Sequence, residues 1–274
     1  MTCFLVKMSG RKASDGNANA SFQRGNIVKA FKYFLVALML MAVGVTYAHA
    51  NIARLVLIDN SDFQKVNSDV YLSGELSSHA EEKVETLISD ARKRIATHYG
   101  EINAEPKIVV LSSKQELKEY GLNDRPGALI FAPWGTYLLL NFETAGIDVA
   151  AHELVHAEVV QRVGYLKRYF DIPTWFDEGV AMQVDYRGMY DSLTVISAAE
   201  FIELTRLNKP KNFWSLDKHQ NIQNYRTAKS AVSEMFKHTD EDLFSILDEV
   251  RNGNSDVIVS IANKTNKALQ RTSR

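Results

Sequence analysis

The spacing of apolar residues divides the chain into a mixed αβ part and a longer helical part. Apolar residues recur every three or four positions across 78–99, which is the spacing of a helix with one buried face. Ser113 and Glu116 stand at capping-box spacing and predict a short helix over 113–120. Short apolar runs bounded by turn residues predict strands at 52–58, 107–111, 127–131 and 136–141.

From Ile147 onward the pattern is helical throughout. The predicted helices lie at 147–163, 174–186, 197–206, 223–238, 240–250 and 255–269. The expected fold class is therefore α+β, with a small mixed αβ part at 51–146 followed by a helical part at 147–274. We expect 51–274 to form a single domain, because this length suits one hydrophobic core.

The first 50 residues differ in charge and pattern from the rest. They carry six basic residues against one acidic residue, whereas the whole chain has a formal net charge of −1. Two lysines precede the apolar run 34–45, and Ala48-His49-Ala50 follows it, which is the order of a secretory signal peptide. This run is shorter than the roughly 20 residues of a membrane-spanning helix. We predict a leader over 1–50, cleavage near Ala50, and a periplasmic or secreted protein; the alternative is an uncleaved N-terminal membrane anchor.

Composition excludes several classes of function. The near-neutral net charge does not favour a nucleic acid as partner. The only cysteine, Cys3, precedes the predicted cleavage site, so the mature chain would have no disulfide and no thiol nucleophile. A metal site in this chain must therefore use histidine and carboxylate ligands.

The segment His152-Glu153-Leu154-Val155-His156 carries the most specific chemical signal. Residues four apart lie on one face of a helix, so the two imidazoles can point at one zinc ion. Glu153 is then placed as the general base that takes a proton from water. Alanine, leucine and valine occupy most neighbouring positions, which predicts a buried helix. The alternative is a surface helix with two solvated histidines.

A catalytic zinc takes three protein ligands and keeps one position open. Glu178 lies 22 residues after His156, in the segment WFDEGVA, where Pro173 and Thr174 mark the start of a helix. The gap allows the first helix to end near Gly164 and the chain to turn back. The small residue Gly179 would permit close approach of the two helices. The alternative for Glu178 is a solvated glutamate on a helix surface.

The pair HELVH and WFDEGVA resembles the gluzincin metallopeptidases, the clan of thermolysin-like enzymes and zinc aminopeptidases. The resemblance covers about residues 128–240 and implies a zincin-like fold. It implies zinc ligands at His152, His156 and Glu178, with Glu153 as base. It also implies an edge strand above the HExxH helix that binds extended substrate. The stretch 135–141 is the candidate for that strand, and a core hairpin strand is the alternative.

The same resemblance implies a donor that stabilises the oxyanion and an aspartate that orients a ligand histidine. Tyr225 is the candidate donor at the start of a downstream helix, and Tyr186 is the second candidate; a packing role is the alternative for both. Many gluzincins have an aspartate where this chain has Met182. Asp185 and Asp148 are the possible substitutes.

These observations predict an exported zinc metallopeptidase that acts on peptides or proteins. An endopeptidase is favoured, because the chain is small and has no insertion that suggests an exopeptidase gate. The alternative is a catalytically inactive zincin-fold module that binds or assembles in the cell envelope. A third hypothesis is a membrane-anchored protein in which the HExxH segment is a coincidence. It predicts no bound zinc and a retained leader. In that case the uncleaved leader would be the only part of the protein that contacts a membrane.

Overall fold

The computed structural model describes residues 31–35, 50–74, 76, 79–191 and 196–272. The chain divides into two compact units, Met1–Ala53 and Arg54–Arg274. The second unit contains the described strands and the HExxH segment. Most of the predicted signal peptide, including residues 36–49, lies outside the described residues. Within the described part, no helix is both long enough and apolar enough to cross a bilayer.

Five strands form one mixed sheet. They are β1 (Gln64–Lys65), β2 (Val70–Leu72), β3 (Lys107–Leu111), β4 (Gly127–Ala132) and β5 (Gly135–Asn141). Their order is β1-β2-β3-β5-β4, with β2, β3 and β5 parallel and the two outer strands antiparallel to their neighbours. The strands predicted at 107–111, 127–131 and 136–141 are confirmed; the short strands β1 and β2 were not predicted.

At the end of the sheet next to the HExxH helix the edge strand is β4, so the prediction that placed residues 135–141 at the edge is wrong. β5 lies between β3 and β4 and pairs with both. Leu138, Leu139 and Leu140 are all buried, because helices cover both faces of the sheet at this strand. A strand that is buried on both faces has a continuous apolar run rather than an alternating one.

The strand predicted at 52–58 is also wrong. The chain there forms α1 (Ala50–Val56), followed by a 3-10 turn at Ile58–Asn60. Leu55 and Ile58 are buried, whereas Val56 and Leu57 are exposed. Burial therefore follows a three-residue spacing rather than the alternation of a strand, and a short apolar run fits either pattern.

The remaining helices follow the predicted order closely. They are α2 (His79–Tyr99), α3 (Lys114–Glu119), α4 (Ile147–Val163), α5 (Tyr165–Phe170), α6 (Thr174–Ala181), α7 (Ala198–Thr205), α8 (Pro210–Phe213), α9 (Lys218–Lys237), α10 (Leu243–Arg251) and α11 (Val257–Thr272). The predicted capping box of α3 is present. Helices α5 and α8 were not predicted, and α6 ends five residues earlier than predicted. The five-stranded mixed sheet followed by helices confirms the α+β class.

The HExxH helix, α4, lies at the centre of the fold. Twelve of its 17 residues are buried, as its apolar composition predicts, and it contacts α2, α6, α10 and β4. The buried carboxylate of Glu158 accepts hydrogen bonds from the backbone N–H groups of Asn103 and Ala104, each at 2.8 Å. Arg162 Nε lies 2.7 Å from the same carboxylate. These contacts satisfy the buried charge and tie α4 to the segment that precedes β3.

Two glycines allow the close approaches that build the site. A Cβ atom on Gly127 would lie 2.5 Å from Val149 Cγ1, so β4 can lie against α4 only with glycine there. A Cβ atom on Gly179 would lie 2.5 Å from Val232 Cγ2 and 2.7 Å from the carbonyl oxygen of Ala228. Gly179 therefore permits close packing of α6 against α9, whereas the sequence had suggested that Gly179 and Ala181 permit close packing against the HExxH helix.

Replacing Gly179 with alanine is expected to lower the free energy of unfolding by about 1–3 kcal/mol, the usual cost of an overpacked core. The backbone carbonyl of Ala228 cannot move aside as a flexible side chain could. Urea unfolding of purified protein would measure the change. Gly188→Ala is the matched control, because a Cβ at this exposed glycine would make one ordinary contact, 3.8 Å from Asp191 Oδ2. A Gly179→Ala curve that superposes on the wild-type curve would contradict the packing argument.

Candidate metal centre

Three buried side chains from α4 and α6 converge on one point. The Nε2 atoms of His152 and His156 lie 3.1 Å apart, and each lies 3.5 Å from Oε2 of Glu178. Three ligands placed about 2.0–2.1 Å from a zinc ion at tetrahedral angles would lie about 3.3–3.4 Å from one another. The observed separations therefore match three ligands of one metal ion.

The burial of these groups makes a cation the natural partner. His152, His156 and Glu178 are 5%, 8% and 3% exposed. Among the described residues, Glu178 Oε2 accepts no hydrogen bond. A buried polar atom without a partner costs about 1–3 kcal/mol. The three residues can therefore hold a metal ion, which would supply the missing interaction.

A buried carboxylate and an arginine lie behind each histidine. His156 Nδ1 lies 2.8 Å from Oδ2 of Asp177, which also pairs with Arg168. His152 Nδ1 lies 3.6 Å from Oδ2 of Asp185, and Arg187 Nη2 lies 2.5 Å from the same oxygen. Both aspartates are fully buried. A carboxylate behind a ligand histidine can orient the ring and increase its basicity, and the contact to His156 is the closer of the two.

The sequence identified one of these two carboxylates. Asp185 lies behind His152. It is one of the two residues suggested as substitutes for the aspartate that many gluzincins have where this chain has Met182. Asp148, the other substitute, pairs with Arg94 at 2.5 Å and accepts the backbone N–H of Tyr186. Asp177 was missed, although it is a charged residue inside a segment that reads as buried. Such a residue needs a partner, and this is the signal that could have found it.

The electrostatics of the metal-free site favour a proton on His156. Burial acts to lower the pKa of His156, but the carboxylates of Asp177 and Glu178 outweigh it and hold that pKa well above its ordinary value. Burial acts to raise the pKa of Glu178, but His156 and His152 outweigh it and hold that pKa well below its ordinary value. A metal ion must displace the His156 proton, so metal binding would release it.

The carboxylate of Glu153 is held by the edge strand. Its Oε2 accepts a hydrogen bond from the backbone N–H of Leu129 in β4 at 2.8 Å. Within the described part of the chain, no hydrogen bond to its Oε1 is present. Glu153 lines a cavity of about 440 Å³ whose lining also includes His152, His156 and Glu178. The carboxylate is therefore fixed at the cavity wall with one oxygen free.

Tyr225, the candidate oxyanion donor, lines the cavity, but it lies inside α9 and not at a helix start. Helix α9 begins at Lys218, with Asp217 as its N-cap. The Tyr225 ring centroid lies 6.3 Å from that of His152, and its hydroxyl accepts a hydrogen bond from Trp214 Nε1 at 3.0 Å. Burial, followed by the charge of Glu178, raises the pKa of Tyr225 well above its ordinary value.

The second tyrosine candidate, Tyr186, lies outside the cavity lining. It is 56% exposed, and the Arg94 guanidinium stacks on its ring at 4.5 Å. The prediction extended the helical face of α6 beyond Ala181, where the helix ends. Tyr190, which was not predicted, lines the cavity instead, and its ring centroid lies 5.3 Å from that of Tyr225. No local pattern in the sequence marks Tyr190.

Comparison with models of known protein families finds none that matches this chain. Comparison with curated proteins finds no significant match. The function must therefore be argued from the arrangement of the residues themselves.

Replacing Asp177 with asparagine is expected to weaken zinc binding about 10–100-fold, the usual effect of losing a partner behind a metal ligand. The amide carries no charge to hold His156 Nδ1–H, and it leaves Arg168 without its acid. Competition with a chromogenic chelator would measure the affinity. Asp148→Asn is the matched control, because Asp148 contacts neither histidine. Equal losses in the two variants would contradict a specific role for Asp177.

Proposed function

We propose that this protein is an exported zinc metallopeptidase of the gluzincin type with a zincin-like fold. The observation that carries the proposal is the convergence of His152, His156 and Glu178, with Glu153 beside them. Two imidazoles and one carboxylate, facing a cavity, form a ligand set typical of catalytic zinc in peptidases. Export rests on the leader pattern in the sequence.

His152, His156 and Glu178 would hold the zinc ion, which would supply Lewis acidity that activates a water molecule and polarises a carbonyl group. Glu153 does the proton transfer. Its Oε2 is held by the N–H of Leu129, so Oε1 accepts the proton of the attacking water. The same atom then delivers the proton to the nitrogen that leaves.

Tyr225 is the proposed donor to the oxyanion. Its hydroxyl oxygen already accepts the Trp214 N–H, which leaves the hydroxyl proton free to point into the cavity. Burial and the charge of Glu178 raise the pKa of Tyr225 in the metal-free protein, so its hydroxyl is protonated there at neutral pH. A donor of this kind contributes about 2.7–4 kcal/mol to the stability of the transition state.

The edge of β4 that faces away from β5 offers backbone groups for an extended peptide. The N–H of Leu129 is already used by Glu153, so peptide pairing would use the other groups of the strand. We propose an endopeptidase or a processing enzyme, because backbone pairing along an edge strand suits an extended peptide.

The test measures metal content and hydrolysis in the same preparation. We expect about one zinc per chain by elemental analysis and cleavage of a quenched peptide library. A chelator should stop cleavage, and added zinc should restore it. Stoichiometric zinc with no cleavage of any peptide would favour a binding module, and absence of zinc binding would contradict both. N-terminal sequencing of exported protein tests the leader.

A further inference from the structure

Three arginines line the cavity, and one of them has no acidic partner. Arg168 pairs with Asp177, and Arg187 pairs with Asp185. Arg125 forms no ion pair with any of the residues that the structure describes. The charges of Arg168 and Arg187 are therefore neutralised by buried aspartates, whereas the charge of Arg125 is available to a ligand.

The guanidinium of Arg125 is held in place by the loop that precedes β4. Its Nε donates to the carbonyl oxygen of Leu122 at 3.2 Å, and its Nη2 donates to that of Gly121 at 2.7 Å. The backbone N–H of Arg125 also donates to Leu122 at 3.2 Å. A guanidinium has five N–H donors, so three remain for a ligand. Because the side chain is already ordered, binding a carboxylate costs little conformational entropy.

The charge of the site becomes more positive when a metal binds. Four carboxylates, those of Glu153, Asp177, Glu178 and Asp185, stand against the three arginines and the proton on His156 in the metal-free site, which gives 0. A divalent cation that replaces this proton would bring the charge to +1. The metal-loaded cavity would therefore attract an anion, and Arg125 is the lining arginine that pairs with no carboxylate of the described residues.

Arg125 lies in the loop just before the edge strand, and its place there sets where that anion would lie. It precedes Leu129, which holds Glu153, by four residues, which span at most about 13 Å of extended chain. A peptide extended along β4 would bring a group two to four residues from its reacting bond to the guanidinium.

We propose that Arg125 binds a carboxylate of the peptide substrate, two to four residues from the bond that is cut. This inference rests on the proposed peptidase function. The carboxylate belongs either to an acidic side chain or to the C-terminus of the substrate. Arg125 is thus a specificity-determining residue, because its guanidinium can form a bidentate pair with either.

The experiment measures binding of labelled peptides to full-length protein by fluorescence anisotropy. Glu153→Gln is introduced to prevent turnover, and measurements are made with and without one equivalent of zinc. One peptide set is neutral and C-terminally amidated, with a single glutamate or a matched glutamine moved through successive positions. A second set compares a free C-terminal carboxylate with its amide.

We expect a glutamate at one or two positions, or a free C-terminus, to tighten binding roughly tenfold, the usual size of a charge-assisted hydrogen bond. Arg125→Ala should remove this preference, and Arg125→Lys should keep part of it. Arg251→Ala removes the same charge from an exposed site on α10 and should leave the preference unchanged. The circular dichroism spectrum of each variant checks folding.

Three results would overturn the inference: equal binding of acidic and neutral peptides, a preference that survives Arg125→Ala, or no binding of any peptide. The peptidase function is judged separately, from zinc content and cleavage by the wild-type protein. Binding of acidic peptides through Arg125 without cleavage would keep this inference while the proposed function fails. Cleavage of peptides without a preference for acidic ones would support the peptidase function and overturn the inference about Arg125.

Discussion

Replacing Glu153 with glutamine is expected to lower kcat by about 10²–10⁴-fold, the usual contribution of a general base, while about one zinc per chain stays bound. The amide has the same shape as the carboxylate and can still accept the N–H of Leu129 through its oxygen. It cannot take a proton from water. Because Glu153 is not among the three residues whose donor atoms converge, metal content should not change.

Hydrolysis of quenched peptides and elemental analysis on the same sample would separate these two effects. Glu143→Gln is the matched control, because Glu143 is an exposed glutamate that precedes α4 and does not line the cavity. Full activity in Glu153→Gln would show that the proposed proton transfer is wrong. Loss of zinc in that variant would show that Glu153 binds the metal.

Replacing Glu178 with glutamine is expected to weaken zinc binding by more than about 100-fold, beyond the effect of losing an outer partner. The change removes the only anionic atom among the three that converge, Glu178 Oε2. Hydrolysis should fall with zinc occupancy and recover partly at high zinc concentration. Glu153→Gln is the matched comparison, because it should lose hydrolysis and keep the metal. Zinc affinity equal to wild type in Glu178→Gln would remove this residue from the ligand set.

The stability of the metal-free protein provides a second measurement on Glu178. Its lowered folded pKa means that the charged form contributes stability above the ordinary value of 4.5, which is lost as the pH falls through the folded pKa. The raised pKa of His156 works in the opposite direction. Its contribution is complete below 6.5 and is lost as the pH rises through the folded pKa. Glu178→Gln should therefore destabilise the metal-free protein most between pH 4.5 and pH 6.5, where Glu178 is charged and His156 is protonated.

The segments whose burial pattern is regular could be predicted from the sequence. Helix α4 begins and ends at the predicted residues, because its apolar positions are dense and Gly164 follows it with a positive φ of 84°. The run 52–58 was misjudged, because seven apolar-rich residues fit a strand or a helix equally well. The start of α9 was placed five residues late, because its first turn is largely exposed and polar.

The order of the strands and the tyrosines of the cavity depend on contacts between distant segments. Nothing local distinguishes β5, which lies between two strands, from β4, which lies at the edge. Tyr190 reaches Tyr225 across 35 residues of sequence, and Asp185 reaches His152 across 33. Such pairs are decided by how helices pack, which a single sequence does not display.

The sequence by itself determined the residues that converge at the centre, because a helix places His152 and His156 on one face and a local motif adds Glu178. Only the tertiary structure decided the edge strand that holds Glu153, the Asp–Arg pair behind each histidine, and the position of Arg125 at the cavity. The physical reason is that ligand spacing follows from the geometry of one helix. The surroundings of the ligands follow from long-range packing, in which glycines such as Gly127 and Gly179 set how closely the elements approach.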